Sequence, residues 1–239
     1  VTICRIEALG DAALLLRLGD RIDAAISQRV HAYARALRAQ APHWLTDITP
    51  AYACLALHVD VVCMHRDFPS NNDPLSEARD WLVDWLAKSQ VDAANTEARV
   101  VEIPVAYGGD YGPDLAAISV QAGMPIGDVV SRHASAMYSV AMLGFAPGFP
   151  YLLGLDASLV MPRLTTPRTH VHAGSVGIGG SQTGIYPDAG PGGWQLIGRT
   201  PLQLFAALRD PPCLLQAGDR VRFKPIDANE FDALQAQSQ

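Results

Sequence analysis

The chain has 239 residues, 49% of them hydrophobic and 18% charged, enough to bury the core of one large domain or two modest ones. Its net charge of −6 comes from 10 basic and 13 acidic residues up to Arg99 and 8 and 11 beyond it, so neither half carries the basic footprint of a nucleic-acid binder. Apolar runs are broken by charge or proline well short of the roughly 18 residues of a membrane span, and the N-terminal VTICRIEALGD lacks a signal-peptide layout, so the expectation is a cytoplasmic protein with no nucleic-acid or membrane partner.

In chain order, AALLLRL predicts a strand over Ala12–Leu18. A helix follows, in which Ile22, Ile26, Val30, Tyr33 and Leu37 recur every three or four residues. ACLALHVDVV predicts a strand over Ala53–Val62. Asp73-Pro74 then opens a helix with a stripe of Leu75, Ala78, Leu82, Trp85 and Leu86. The polar, unpatterned VDAANTEARV marks a seam near residues 90–98 and divides the chain into an α+β domain, 1–95, and a mainly-β domain, 96–239. RVVEIPVAYGG restarts as a strand. GPDLAAISVQAG and MPIGDVVSRHAS predict two short helices, the first closed by Gly123. From Tyr138 to Gly198 short β-like runs alternate with Gly and Pro, and nine of the 25 residues from Gly174 to Gly198 are glycine, which predicts a small barrel with shaped loops. Within this region LGFAPGFPYLLGLD, residues 143–156, holds too many glycines and prolines for a central strand and is expected to be an ordered loop. TPLQLFAALRD predicts a last helix, DRVRFKP a closing strand, and the tail after Pro225 a frayed polar helix.

Absences narrow the chemistry. With only Lys88 and Lys224 in the chain, no Walker-A loop and no biotin-carrying Met-Lys-Met context exists. GSVGIGG has dinucleotide-like spacing, but the SQTGIYP beyond it does not open a helix, so no dinucleotide site is expected. Cys4, Cys54, Cys63 and Cys213 are scattered and read as buried, reduced thiols. His170 and His172 form a lone H-x-H with no third ligand nearby, so no metal site is predicted. AGSVG misses the nucleophile-elbow pattern. The backbone N–H groups from Ser175 to Gly180 read either as an anion-binding concavity or as tight barrel turns. Arg163 and Arg168 each follow a proline and Arg199 precedes one at a single residue's remove, a local reversal of sign suited to a small anionic ligand, with three solvated arginines as the alternative.

With these residues in view, the chain resembles the family of 5-oxoprolinase B subunits, also described as kinase-inhibitor-like or allophanate hydrolase subunit 1-like proteins. The likeness lies in IPVAYGGDYGPDL, SRHASAMYSVAMLGFAPGFPYLLGLD and MPRLTTPRTHVHAGSVGIGGSQTGIYPDAGPGGWQLIGRTPLQLF, and more weakly in ALGDAALLLRLGD and DITPAYACLALHVD. It implies a ferredoxin-like α+β N-terminal domain and a cyclophilin-like C-terminal β-barrel. It also implies a heteromer in which the B subunit joins A and homologous C subunits to open 5-oxoproline to glutamate, with ATP, and Mg with it, as co-substrate and no protein-bound cofactor. In that light GFAPGFPYL lines a ligand cleft or partner interface. The candidate substrate-binding set is Phe145, Gly148, Phe149, Tyr151, Arg163, Ser175, Gly177 and Gln182, and the catalytic set is His133, Arg168 and His170, with Arg168→Ala expected to lower activity about tenfold or more. His133 also sits on the face of Val129 and Val130, which suits a core histidine equally. The chain departs from the family's Val-Pro-Ala-Gly-Ser by carrying His172. Relatives of the same family imply two other functions: the carboxyltransferase half of a urea carboxylase, served by biotin in trans, and a non-enzymatic inhibitor of a histidine kinase.

Overall fold

The computed structural model of the chain describes residues 5–69, 73–91 and 98–237, which fall in two compact units, Val1–Glu97 and Ala98–Gln239. Cys4 and residues 92–97 of the predicted seam lie outside the described residues.

In the first unit, β1 (Arg5–Ala8) and β2 (Ala13–Arg17) form one hairpin, α1 (Ala24–Ala39) follows, and β3 (Leu45–Ala51) and β4 (Cys54–Val59) form a second hairpin. The sheet runs β1-β2-β4-β3 and is antiparallel throughout. Helix α1 begins where Asp23 accepts the Ala25 and Ile26 N–H groups at 2.9 and 3.1 Å, so Ile22 falls before the helix and is exposed. Its buried Val30, Ala34 and Leu37 join Leu14, Leu16, Leu55 and Leu57 of the sheet in one core. The strand expected to reach Val62 ends at Val59, because Asp60 accepts the Cys63 N–H at 2.9 Å and caps α2 (Val61–Asp67). Asp73 caps α3 (Pro74–Lys88), which buries Ala78, Leu82 and Trp85.

The second unit contains β5 (Val100–Tyr107), α4 (Leu115–Ala122), α5 (Ile126–Ser135), β6 (Tyr138–Leu143), β7 (Pro150–Leu153), β8 (Arg168–Val171), β9 (Ser175–Gly179), β10 (Gln182–Ile185), β11 (Gly190–Gly192), β12 (Gln195–Arg199), β13 (Arg220–Ile226) and α6 (Ala228–Gln237). Seven strands close a barrel in the order β10-β7-β6-β13-β5-β12-β9, with β5 and β13 parallel, while β8 and β11 pair separately. Ile103, Val140, Val176, Ile178, Ile197 and Phe223 belong to its core, joined by Leu115 and Ile118 of α4 and Val129 of α5.

Three expectations are corrected here. LGFAPGFPYLLGLD is only partly loop: Pro150–Leu153 is β7, paired on both sides, and proline is tolerated because it takes the first position of the strand. TPLQLFAALRD is not helical; the Arg209 guanidinium donates to the carbonyls of Gln203, Leu204 and Pro212, and Leu204 O also accepts from Leu214 N–H, so the Gln203 and Leu204 carbonyls serve these turn bonds instead of a helix. The tail helix α6 is anchored, with Phe231 only 1% exposed. Of the described cysteines, Cys54, Cys63 and Cys213 are free thiols, and Cys63 is the most buried of the three, at 9% exposure.

Candidate functional site

The β6–β7 loop is closed by two backbone bonds, Gly144 N–H to Phe149 O at 3.1 Å and Phe149 N–H to Ala146 O at 3.0 Å. Inside it Phe145 is held at φ 69° and left 69% exposed. Left-handed backbone at a bulky non-glycine residue costs about 1–3 kcal/mol and persists where surrounding structure imposes it, most often at sites of function. Gly148, at φ 81°, lets the loop lie against the neighbouring segment, since a Cβ there would stand 2.9 Å from the Phe205 Cβ.

This loop forms one wall of a cavity of about 280 Å³ lined by Phe145, Phe149, Tyr151, Arg163, Tyr186 and Trp194 together with Gly and Pro backbone. Phe149, 2% exposed, is the hub: its ring centroid lies 4.9 Å from Tyr151, 5.2 Å from Tyr186, and 5.5 Å from both Phe145 and Trp194. The glycines make room for these rings. A Cβ on Gly179 would stand 2.6 Å from the Trp194 ring, so the indole lies flat on β9 only because that side chain is absent, and one on Gly192 would stand 2.5 Å from the Tyr186 hydroxyl. Burial pushes the Tyr186 phenol up, keeping it neutral and able to donate. Arg163 is exposed at the mouth, its guanidinium 5.6 Å above the Trp194 ring. One cation over aromatic walls suits a small ligand with an apolar ring and a carboxylate.

Phe145, Phe149, Tyr151 and Arg163 of the predicted set thus meet in one place, with Gly148 in the loop behind them, and the others do not. The three arginines form no common wall. Arg168 is paired with Asp114 at 2.7 Å, and the same carboxylate accepts the Leu196 N–H at 2.6 Å, so Asp114 ties the start of α4 to both β8 and β12. Arg199 sits over the rings of Tyr111 and Phe231, at 4.9 and 5.0 Å, and lines a different cavity together with His172. Ser175 and Gly177 lie in β9, whose backbone is paired to both β10 and β12, and Gly180 N–H donates to Met161 O, so barrel turns, not an anion-binding concavity, account for this stretch. Gln182 is buried in β10. His170 and His172 are exposed with their rings 4.9 Å apart, and no third ligand converges on them among the described residues.

His133 takes the core position. It is fully buried, stacked 4.6 Å from Phe223, with Nδ1 2.8 Å from the Tyr107 hydroxyl and Nε2 3.0 Å from Thr183 Oγ1. Burial lowers its pKa to about 3, and it lies in none of the cavities described. A proton carrier needs access to substrate, which this position lacks.

Tyr186 and Trp194 are site residues that pattern reading did not single out. Their signal was present in GIYPDAGPGGW, where glycines mark the places that rings occupy. The Asp114 pair also changes what Arg168 does. Arg168→Ala leaves the largely buried Asp114 carboxylate with a single donor, and we expect a loss of about 1–3 kcal/mol in urea denaturation, partly recovered by Arg168→Lys.

The family model for "Carboxyltransferase domain, subdomain C and D" matches residues 4–215. The chain is 39% identical to the B subunit of 5-oxoprolinase from Bacillus subtilis (strain 168) over 235 residues, 98% of each chain. It is 53% identical to the B subunit of 5-oxoprolinase from Escherichia coli O157:H7 over 149 residues, 62% of this chain and 67% of that one. Among solved structures, that of TTHA0988 superposes with a TM-score of 0.76 at 35% identity over 90% of this chain, and this chain spans 40% of the TTHA0988 chain. End-to-end kinship at this level, on a closed barrel with an aromatic cavity, places the chain in the family of 5-oxoprolinase B subunits, whose domains are of the carboxyltransferase type.

Proposed function

We propose that the chain is the B subunit of a cytoplasmic, ATP-dependent 5-oxoprolinase, which together with A and homologous C subunits opens the 5-oxoproline lactam to L-glutamate. The observation that carries this reading is the relationship, over nearly the whole of both chains, to a relative of that name. In this reading the second unit is a cyclophilin-like barrel, supported by its seven-strand closure. The first is a ferredoxin-like domain whose edge position beside β2 is filled by β1, supported by the β2-α1-β3-β4 order with β2 and β3 flanking β4. Consistent with a protein outside the membrane, no described helix is long and apolar enough to cross one.

A lactam carbonyl resists water. Transfer of the ATP γ-phosphoryl group to its oxygen, with ADP leaving, makes the carbon electrophilic; one water adds there, the C–N bond breaks to free the amine and leave an acyl phosphate, and a second water hydrolyses that to carboxylate and phosphate. The absence of a lysine-bearing phosphate loop in this chain supports placing ATP, with Mg, on a partner protein of the complex. The aromatic cavity then takes the lactam ring against Phe149 and Trp194, and Arg163 meets the substrate carboxylate.

Mixing the chain with its A and C subunits should release glutamate from 5-oxoproline only when ATP is present, and no ATP-dependent glutamate from a fully assembled complex would rule the reading out. In the same assay Arg163→Ala should lower kcat/KM about tenfold or more, equivalent to about 1.4 kcal/mol, while its unfolding midpoint stays unchanged because the side chain is exposed. The carboxyltransferase description of the matched family favours one second reading, carboxyl transfer from biotin carried on another chain. It predicts consumption of carboxybiotin by the assembled complex and no glutamate.

A further inference from the structure

We propose that His43, Cys63 and Asp67 of the first unit form a mononuclear site for a thiophilic divalent cation of the zinc type. Cys63 and Asp67 stand four residues apart on α2 and so share one face, and His43 reaches them from the segment between α1 and β3. Their ligand atoms all lie within 4.8 Å of one another: His43 Nε2 is 2.6 Å and Cys63 Sγ 3.6 Å from the same Asp67 Oδ2. Zinc bonds of about 2.0–2.3 Å in tetrahedral geometry put ligand atoms roughly 3.3–3.7 Å apart. The thiol and carboxylate already stand at that spacing, and His43, whose side chain is 67% exposed, has only to withdraw by about 1 Å. The buried Trp44 beside it anchors the loop.

The donor set selects the metal. One soft sulfur with one imidazole and one carboxylate suits zinc or cobalt and not magnesium or calcium, which take oxygen shells. Three protein ligands leave the fourth tetrahedral position for water, which the exposed His43 side chain makes accessible. The Asp67 carboxyl is held below its usual range, chiefly by the hydrogen bond from Arg66, so its charge is available. Burial raises the Cys63 thiol, which therefore enters as S–H; the metal–sulfur bond forms as the S–H bond breaks, and the proton goes to buffer.

Arg66 is the competitor. Its Nη2 lies 3.1 Å from Cys63 Sγ and its Nε 3.2 Å from Asp67 Oδ1, so a guanidinium now holds the place of the cation, on a side chain 72% exposed and able to swing into solvent. Removing it should therefore strengthen metal binding, whereas removing a purely structural partner would not.

The test is titration of the intact, metal-free chain with Co²⁺ alone, following thiolate-to-cobalt charge-transfer absorption in the near ultraviolet. The expected result is a band saturating at one equivalent, lost in Cys63→Ser and retained in Cys54→Ser. Affinity should weaken about tenfold or more in His43→Ala, whose exposed side chain makes misfolding a negligible concern, and tighten about threefold or more in Arg66→Gln. No band at millimolar Co²⁺, a band that survives Cys63→Ser, or weaker binding in Arg66→Gln would overturn the assignment.

Discussion

Phe149→Ala is expected to destabilise the barrel unit by about 3–5 kcal/mol, read as a fall of roughly 10–20 °C in its unfolding midpoint. The side chain is 2% exposed, and four aromatic rings rest on it, so truncation leaves a void that rigid neighbours cannot fill and removes the offset and edge-to-face contacts as well. The cavity loses its floor along with the stability, so activity of the assembled complex should fall too. Phe145→Gly separates these two effects. Phe145 is exposed and held at φ 69°, where glycine is unstrained, so this variant should be neutral or up to about 1 kcal/mol more stable, yet it removes a wall of the same cavity. Loss of activity from Phe145→Gly with an unchanged or higher melting temperature would show that the wall serves ligand binding. Full activity in that variant would remove Phe145 from the site.

The contrast between these two phenylalanines shows where sequence patterning reaches and where it stops. Both were legible as walls of something, because prolines and glycines around them exclude a regular helix and leave the aromatic side chains little else to do than line an ordered turn. The β-rich character of residues 138–198 was legible for the same reason, through short apolar runs between turn formers. What could not be read was partnership across long separations. Arg163 and Arg168 look alike in MPRLTTPRTH, each behind a proline, but Asp114, 54 residues earlier in the chain, accepts from Arg168, whereas Arg163 stays over Trp194. Asp114 stands at the start of α4 yet makes no cap bond, because its carboxylate is committed to Arg168 and Leu196. The stretch from Ser175 to Gly180 reads equally as an anion-binding concavity or as barrel turns, since the use of its glycines, clearing space for the Trp194 ring, depends on a residue of the distant segment just before β12. TPLQLFAALRD has helical periodicity, and local propensity was overridden by bonds that the Arg209 guanidinium and the 212–214 segment make to its carbonyls. Strand β3 gave no apolar alternation to find, with Thr, Asp and Pro among its seven residues.

His133 should make the second unit acid-labile in a way that a single substitution removes. Thr183 Oγ1 donates its only proton to Gly177 O at 2.9 Å, so toward His133 it accepts, and Nε2 carries the ring proton. Nδ1 then accepts from the Tyr107 hydroxyl, a phenol that burial holds well above its usual range and so keeps protonated. Both ring nitrogens are satisfied in the neutral form, and a second proton would have to displace the Tyr107 bond inside a desolvated core. That is why the folded pKa falls to about 3 from an ordinary 6.5. Between those values the unfolded chain binds one proton more than the native state, so stability is fully present above pH 6.5 and declines as the pH falls, by about 1.4 kcal/mol per unit, until the folded group titrates near pH 3. Carboxylates add their own acid dependence, but His133→Gln leaves those in place while keeping one donor and one acceptor and removing the titration. The variant should be less stable than the wild type at pH 7.5, and the gap should shrink by about 3 kcal/mol by pH 4.5 in urea melts. Parallel stability curves for the two proteins across that range would mean that His133 already carries a proton in the folded barrel, and the tautomer assigned through Thr183 would be wrong.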